Sequence, residues 1–342
     1  MADQGVVLAA PGEVVLEEID VAAPGPGEVL VRIEATGVCH SDLHVIEHDG
    51  WGSRLPVLLG HEGAGTIEAV GDGVRLAPGD RVVLGWKSDC GACASCVRGV
   101  PRECTRPPAA PGRLHRHGGD ELTPVLRLGT FATRTVVPEA SAVKMPAELP
   151  VEQACLIGCA VATGVMSVLE TAKVWEGARV AVIGCGAVGL SVIQGARIAG
   201  ASEIHAIDTD PRKAEQALRF GATSTEPGKA DFVFDVVARG STFEQAFSLL
   251  AQRGTIIQVG LSSPSEKVEL GLADVFAKRT RILVSHGGDH LPQEDFPRLA
   301  QWALEGKLDL ASMVTRTAPL EAWSDAFDAM RNGEVIRTVL QP

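Results

Sequence analysis

The sequence predicts an α/β chain in two parts, a barrel-like β domain and a doubly wound parallel sheet. Three observations predict it. Up to about residue 160, short apolar runs such as Val29–Glu34, Gly65–Val70 and Arg81–Leu84 are separated by breakers at Pro24-Gly25-Pro26-Gly27, Gly71-Asp72-Gly73 and Pro78-Gly79-Asp80, the pattern of many short strands closing on one another. Beyond about residue 160, strand-like runs alternate with runs at helical spacing, which argues for a parallel sheet covered by helices. Gly184-Cys185-Gly186-Ala187-Val188-Gly189 stands at the first strand-to-helix junction of that second part, where a doubly wound sheet takes its dinucleotide.

In order along the second part, Arg179–Ile183 reads as a strand ending at a glycine and Val188–Ala199 as a helix. Glu203–Ile207 is a strand ending at Asp208, and Pro211 opens a helix running to about Phe220, since proline fits a first helical turn. Phe232–Val237, Thr255–Val259 and Arg281–Ser285 are further strands, with a helix over Ser241–Ala251 between the first two. Phe296–Glu305 reads as a helix, and the C-terminal segment ends in an apolar run, Val335–Leu340. In the first part, Thr105–Thr130 lacks periodicity and is rich in Pro, Gly, Arg and His; it reads as a long surface loop, a class often functional. No internal repeat or low-complexity segment is present.

With 342 residues, 45% of them apolar, the chain has room for two domains and a sizeable core. A net charge of −12 argues against nucleic acid, whose phosphates require a basic surface. No stretch of about 18 apolar residues stands out as a membrane span, and the N-terminus lacks the basic and apolar regions of a signal peptide. A cytoplasmic setting is expected, where thiols stay reduced, so the eight cysteines point to metal or catalysis before disulfides.

The glycine motif has separable physical roles. Gly184 permits the tight turn, Gly186 lets the backbone approach a pyrophosphate, and Gly189 lets the helix pack on the strand. The helix N-terminus favours the phosphate charge. Asp208, about 20 residues on, is placed to accept from the adenosine ribose hydroxyls and to repel a 2′-phosphate, so NAD is expected over NADP. Arg212 and Lys213 lie close by and soften that preference. Asp208 could instead simply cap the helix that begins near Pro211.

Two metal sites are expected. Cys90, Cys93, Cys96 and Cys104 form a C-x2-C-x2-C-x7-C run, and four thiolates on one short loop can close a tetrahedron around a structural zinc. Cys39, His61 and Cys159 are dispersed, each in a Gly-rich or polar string, and make the three-ligand set of a catalytic zinc that keeps one position open. Glu62 adjoins the histidine as a transient ligand or electrostatic neighbour, and Asp42 is a candidate acceptor for the other nitrogen of His61, fixing its tautomer. Cys155 and Cys185 read as small buried hydrophobes.

GVCHSD at 37–42, GHEGAG at 60–65, the four-cysteine lobe, LIGC at 156–159, GCGAVG at 184–189, AID at 206–208 and IRTVL at 336–340 together resemble the zinc-dependent alcohol dehydrogenases of the medium-chain dehydrogenase/reductase superfamily, over nearly the whole length. The resemblance implies a GroES-like catalytic domain from residues 1–160 and 288–342, a Rossmann domain at 161–287, a cleft between them, and a homodimer or homotetramer joined by sheet edges near Arg281–Ser285. It also implies roles. Ser41 first takes the alcohol proton, and His44 is the outer end of a relay through the nicotinamide ribose. His40 and Arg337 resemble pyrophosphate contacts, Thr163 and Val188 nicotinamide contacts, and Trp51 and Trp86 walls of the substrate pocket. Three features depart from the family pattern: His40 where many relatives have Arg, Ala160 in place of a glycine, and the 105–130 loop.

The activity so implied is reversible hydride transfer between NAD and an alcohol, giving aldehyde or ketone. Two tryptophans and a chain without tyrosine suggest an aromatic or medium-chain primary alcohol. The rival is a thiol-dependent, mycothiol-like formaldehyde dehydrogenase acting on an S-hydroxymethyl adduct, with Arg113, Arg116 and Arg127 either meeting the charged adduct or serving as solvated loop charges. A non-catalytic zinc- and NAD-binding sensor is the remote alternative.

Overall fold

The computed structural model describes residues 2–342. The chain divides into two compact units, one ending at Cys159 and resuming over Leu291–Pro342, the other Ala160–His290.

In the first unit, Val29, Val31 and Ile33 alternate inward along the strand Glu28–Gly37 while Arg32 faces solvent, the period-2 signature of a half-buried strand. They pack with Ile67, Val82, Leu84, Trp86, Leu128 and Val137 into one core. The sheet over that core has seven strands, in the order Ala142–Lys144, Arg81–Leu84, Glu62–Val70, Glu28–Gly37, Arg337–Gln341 and Val314–Pro319, with Arg134–Pro138 also paired to Glu28–Gly37. Its central register sets Gly37 opposite both Glu62 and Val339. That register brings three distant segments to one point.

A second, five-stranded sheet holds the hairpin Asp3–Ala10/Glu13–Val21, flanked by Leu114–Arg116, Val57–Leu58 and Thr123–Pro124. The segment expected as an unstructured surface loop, Thr105–Thr130, thus supplies two short strands. Leu114 and Leu122 are each 2% exposed and pack with Val7, Ile19 and Leu58. The apolar positions are too few and too far apart for periodicity to register; long-range pairing to the N-terminal hairpin orders the segment.

The second unit is a parallel sheet in the order Glu203–Ile207, Arg179–Ile183, Ala230–Asp235, Leu250–Gln258, Arg281–Val284. The strand order reverses between Arg179–Ile183 and Ala230–Asp235, which makes the C-terminal end of Arg179–Ile183 the ligand-binding crevice of such a sheet. Its helices include Ala187–Ile198 and Gly240–Leu249. Helix Ala160–Met166 is buried at every residue; apolar on all sides, it shows no amphipathic stripe by which sequence could find it. The helix expected from Phe296 starts four residues earlier, with Pro292 at N1 and Pro297 inside it. Among the described residues no single helix is long and apolar enough to cross a membrane.

Candidate active site

Cys39 stands just past the strand Glu28–Gly37 and is the N-cap of helix His40–Glu47, in extended conformation. His61 immediately precedes the strand Glu62–Val70, and Cys159 follows the one-turn helix Cys155–Gly158. Because Gly37 pairs with Glu62, the first two ligands emerge side by side. Ligand atoms of Cys39, His61, Glu62 and Cys159 all lie within 4.8 Å of one another, and all four residues are buried.

The donor chemistry fits zinc. His61 Nδ1 donates to Asp42 Oδ1 at 3.2 Å, and the same oxygen accepts from Gly60 N at 2.9 Å. That bond fixes the tautomer and leaves Nε2 as the lone-pair nitrogen. Nε2 is buried with no hydrogen-bond partner, a costly arrangement unless it ligates an ion. Hydrogen bonding from the Cys159 thiol, aided by His61, holds Cys39 well below the usual thiol range, while the same bond and burial push Cys159 up. Burial opposes charge on His61, yet Asp42 and Cys39 outweigh it and raise its pKa. Burial pushes Glu62 up to about 7, with Arg337 pulling against it. Arg337 lies 3.3 Å from Glu62 Oε1 through Nη2 and donates through Nη1 to Val38 O at 2.6 Å.

Ser41 is half-buried, its Oγ accepting from the Cys39 thiol at 3.8 Å. His44 is one turn further along the same helix, half-buried against Trp51. His40 is exposed at the first helical position. Trp86 is 9% exposed, within the seven-stranded sheet's core.

The four-cysteine lobe is a second donor set, again with ligand atoms within 4.8 Å of one another. Cys93 Sγ lies 3.4 Å from Cys96 Sγ and 3.9 Å from Cys104 Sγ, bracketing the edge of about 3.8 Å that a tetrahedron with Zn–S near 2.3 Å requires. The backbone N–H of Cys96, foremost among several donors, lowers Cys93 to about 5. All eight cysteines are free. Sequence reasoning missed how this lobe is fastened. Arg102, between two ligands, reaches Asp295 Oδ2 at 2.6 Å and Glu294 Oε2 at 3.0 Å. Asp295, 1% exposed, also accepts from Arg298 at 2.8 Å and from Leu291 N at 2.8 Å.

In the second unit, Gly184 has φ of 96° and ends the strand Arg179–Ile183. A Cβ on Gly189 would stand 1.8 Å from Gly184 O, whereas one on Gly186 would meet nothing within 4 Å, so the helix packs tightly at the third glycine and stays open at the second. Asp208 Oδ2 accepts from Cys185 N at 2.8 Å and Oδ1 from Asp210 N at 2.9 Å. The cap of helix Pro211–Ala217 is Asp210, which accepts from Arg212 N, so Asp208 is not that helix's cap. Lys213 is half-buried on that helix, Thr163 is buried on helix Ala160–Met166, and Val188 is half-buried in the first turn after the glycines. Burial raises Cys185 to about 12 and raises Cys155 as well, which suits two inert packing thiols.

Comparison with known proteins gives a consistent result. A family described as "Alcohol dehydrogenase GroES-like domain" matches residues 25–147, and one described as "Zinc-binding dehydrogenase" matches residues 187–305. An S-(hydroxymethyl)glutathione dehydrogenase of Escherichia coli O1:K1 / APEC is 36% identical over 370 residues, covering 100% of both chains. Two solved structures superpose over 100% of this chain and 99% of their own: an alcohol dehydrogenase zinc-binding domain protein from Burkholderia ambifaria, with TM-score 0.93 and 32% identity, and a benzyl alcohol dehydrogenase from Acinetobacter calcoaceticus, with TM-score 0.91 and 27% identity.

Proposed function

Because the chain belongs to the zinc-dependent alcohol dehydrogenase family of the medium-chain dehydrogenase/reductase superfamily, we propose that it transfers hydride reversibly between NAD and a primary alcohol, aromatic or medium-chain. The observation that carries this is the buried set Cys39, His61 and Cys159 with Ser41 Oγ 3.8 Å from one of its sulfurs. It unites a three-ligand metal site with a hydroxyl able to pass a proton.

Zinc held there supplies the Lewis acidity that makes an alcohol proton removable near neutral pH. NAD supplies the hydride acceptor. Ser41 takes the alcohol proton and His44 passes it outward. Asp42 keeps His61 in the ligating tautomer. Glu62 is a neighbouring carboxylate whose charge Arg337 balances. Gly184, Gly186 and Gly189 admit the pyrophosphate, with His40 and Arg337 read as further contacts to it; Nε is the Arg337 donor without a hydrogen-bond partner. Asp208 receives the ribose hydroxyls, Lys213 stands beside it, and Thr163 and Val188 pack on the nicotinamide. Trp51 and Trp86 are read as apolar walls of the substrate pocket.

A second substrate class, an S-hydroxymethyl thiol adduct, is favoured by the name of the E. coli relative. Against it, three arginines that the 105–130 segment could offer an anionic adduct, Arg113, Arg116 and Arg127, are engaged. Arg116 holds Glu17 at 2.6 Å, Arg113 holds Glu28 at 2.7 Å, and Arg127 donates to Trp86 O at 2.8 Å. NADH formation across alcohols, and across formaldehyde with and without a low-molecular-weight thiol, separates the two. Thiol-independent turnover of benzyl or medium-chain alcohols is expected; turnover only with thiol would transfer the assignment to the adduct.

A homo-oligomer in a reducing cytoplasm completes the proposal. Strand Arg281–Val284 is a sheet edge on which Val284 is 65% exposed, and in the helix that precedes it, Leu272–Lys278, Leu272 and Phe276 are 84% and 86% exposed. An exposed apolar edge invites pairing with another chain. Light scattering should give a dimer or tetramer, and Ile282→Lys with Val284→Lys should reduce it to monomer.

A further inference from the structure

Helix His40–Glu47 ends in an unusual turn. Asp49, Gly50, Trp51 and Gly52 have successive φ values of 49°, 92°, 47° and 80°. Glycine adopts this region freely, but a bulky residue such as tryptophan does so only when its surroundings impose it. Here they do. His48 N donates to His44 O at 3.1 Å, Gly50 N to Val45 O at 2.8 Å, Trp51 N to His48 O at 2.9 Å and Ser53 N to Gly50 O at 2.9 Å.

The result is a cluster of three rings. Trp51 meets His44 edge-on, centroids 5.3 Å apart at 66°, and lies over His48 at 6.1 Å and 30°. His48 meets His44 at 6.0 Å and 62°. His48 is also tied to the backbone of His44, its Nδ1 lying 3.1 Å from His44 O. Two rings therefore bracket one imidazole, and a forced backbone conformation delivers the larger of them. Lining a pocket would require neither the left-handed backbone nor contact with both histidines.

We propose that Trp51 and His48 are positioning residues for His44, fixing its imidazole in the orientation that carries a proton outward. This rests on His44 being the proton carrier of the proposed dehydrogenase. An unrestrained imidazole in a half-buried setting samples several rotamers, and small misplacements of a reacting group are costly.

The test is a double-mutant cycle on the zinc-loaded enzyme, read as the single-turnover rate of NADH formation from a primary alcohol, with zinc per chain confirming the fold. Trp51→Ala should slow that rate about tenfold with the KM for NAD unchanged, and Trp51→Phe should restore most of it. His48→Gln should slow it severalfold. In a His44→Gln background, neither substitution should slow it further. If Trp51→Ala acts equally in both backgrounds, or only raises the alcohol KM, Trp51 is a pocket wall alone and the positioning role is overturned. A His44→Gln enzyme as fast as the parent would sink the relay itself, a different signature. Should Trp51→Ala lose zinc, His48→Gln carries the cycle alone.

Discussion

Arg337 and Glu62 form a buried ion pair, Nη2 to Oε1 at 3.3 Å, with side chains 4% and 0% exposed. Arg337 sits in the strand Arg337–Gln341 and Glu62 begins the strand Glu62–Val70, both paired to Glu28–Gly37. Without Arg337, Glu62, lifted by burial to about 7 even beside its cation, loses the group that favours its charge and takes up a proton near neutral pH. Arg337→Met should therefore cost most above neutral pH, up to about 3–5 kcal/mol of stability, and weaken zinc retention at the Cys39/His61/Cys159 site. Glu62→Gln with Arg337→Met should recover much of the loss, as read by denaturant unfolding and metal analysis. A single Arg337→Met variant as stable as the parent would mean the pair contributes nothing.

Asp42 joins His61 Nδ1 and Gly60 N on one oxygen. Asp42→Ala should lower zinc affinity at that site roughly 10–100-fold while leaving the four-cysteine lobe loaded. Competition with a chromogenic chelator should resolve two classes of zinc in the parent, and only the class held by Cys39, His61 and Cys159 should move.

Cys93→Ser should reduce the zinc count from two per chain to one and lower the melting temperature, since structural zinc contributes folding energy directly. Arg102→Met should lower the melting temperature while keeping both zincs, because it releases the lobe from Asp295 without touching a ligand. Hydrogen exchange should then rise around Leu291, whose N–H is held by the same carboxylate. Unchanged exchange there would show that the lobe and the helix are independent.

Asp208 is held by two backbone N–H groups, from Cys185 and Asp210. Asp208→Asn keeps an acceptor for one of them, sets its NH2 against the other N–H and removes the charge, so the NAD/NADP ratio of kcat/KM should fall roughly tenfold or more toward NADP. If the ratio does not move, discrimination lies with another group.

Local chemistry made the site legible in sequence. Glycines at 184, 186 and 189 and thiols at 90, 93, 96 and 104 announce themselves by spacing, because turn geometry and tetrahedral closure act over a few residues. The Rossmann-type strands were readable for the same reason: each is a short apolar run between breakers. Three things were hidden. Helix Ala160–Met166 is apolar all round and carries no period. The strands inside 105–130 are ordered by distant partners. The clamps Arg102–Asp295 and Arg337–Glu62 join residues far apart in sequence, although an arginine inside the apolar run IRTVL was itself a sign that a buried counter-charge existed.

Strand Arg337–Gln341 pairs with Glu28–Gly37, and this has a consequence during synthesis on the ribosome. The second unit is one continuous stretch, Ala160–His290, and can close as soon as it emerges. The first unit cannot, because a strand of its main sheet, Arg337–Gln341, is translated only after the whole of the second unit. Until then Glu62 lacks its cation and the Thr36–Gly37 end of the central strand, whose Glu28–Arg32 half is taken by Arg134–Pro138, stays unpaired on that edge for hundreds of residues' worth of elongation, tens of seconds at about 5–20 residues per second. Nascent chains halted before residue 337 should depend on chaperones in proportion to that delay.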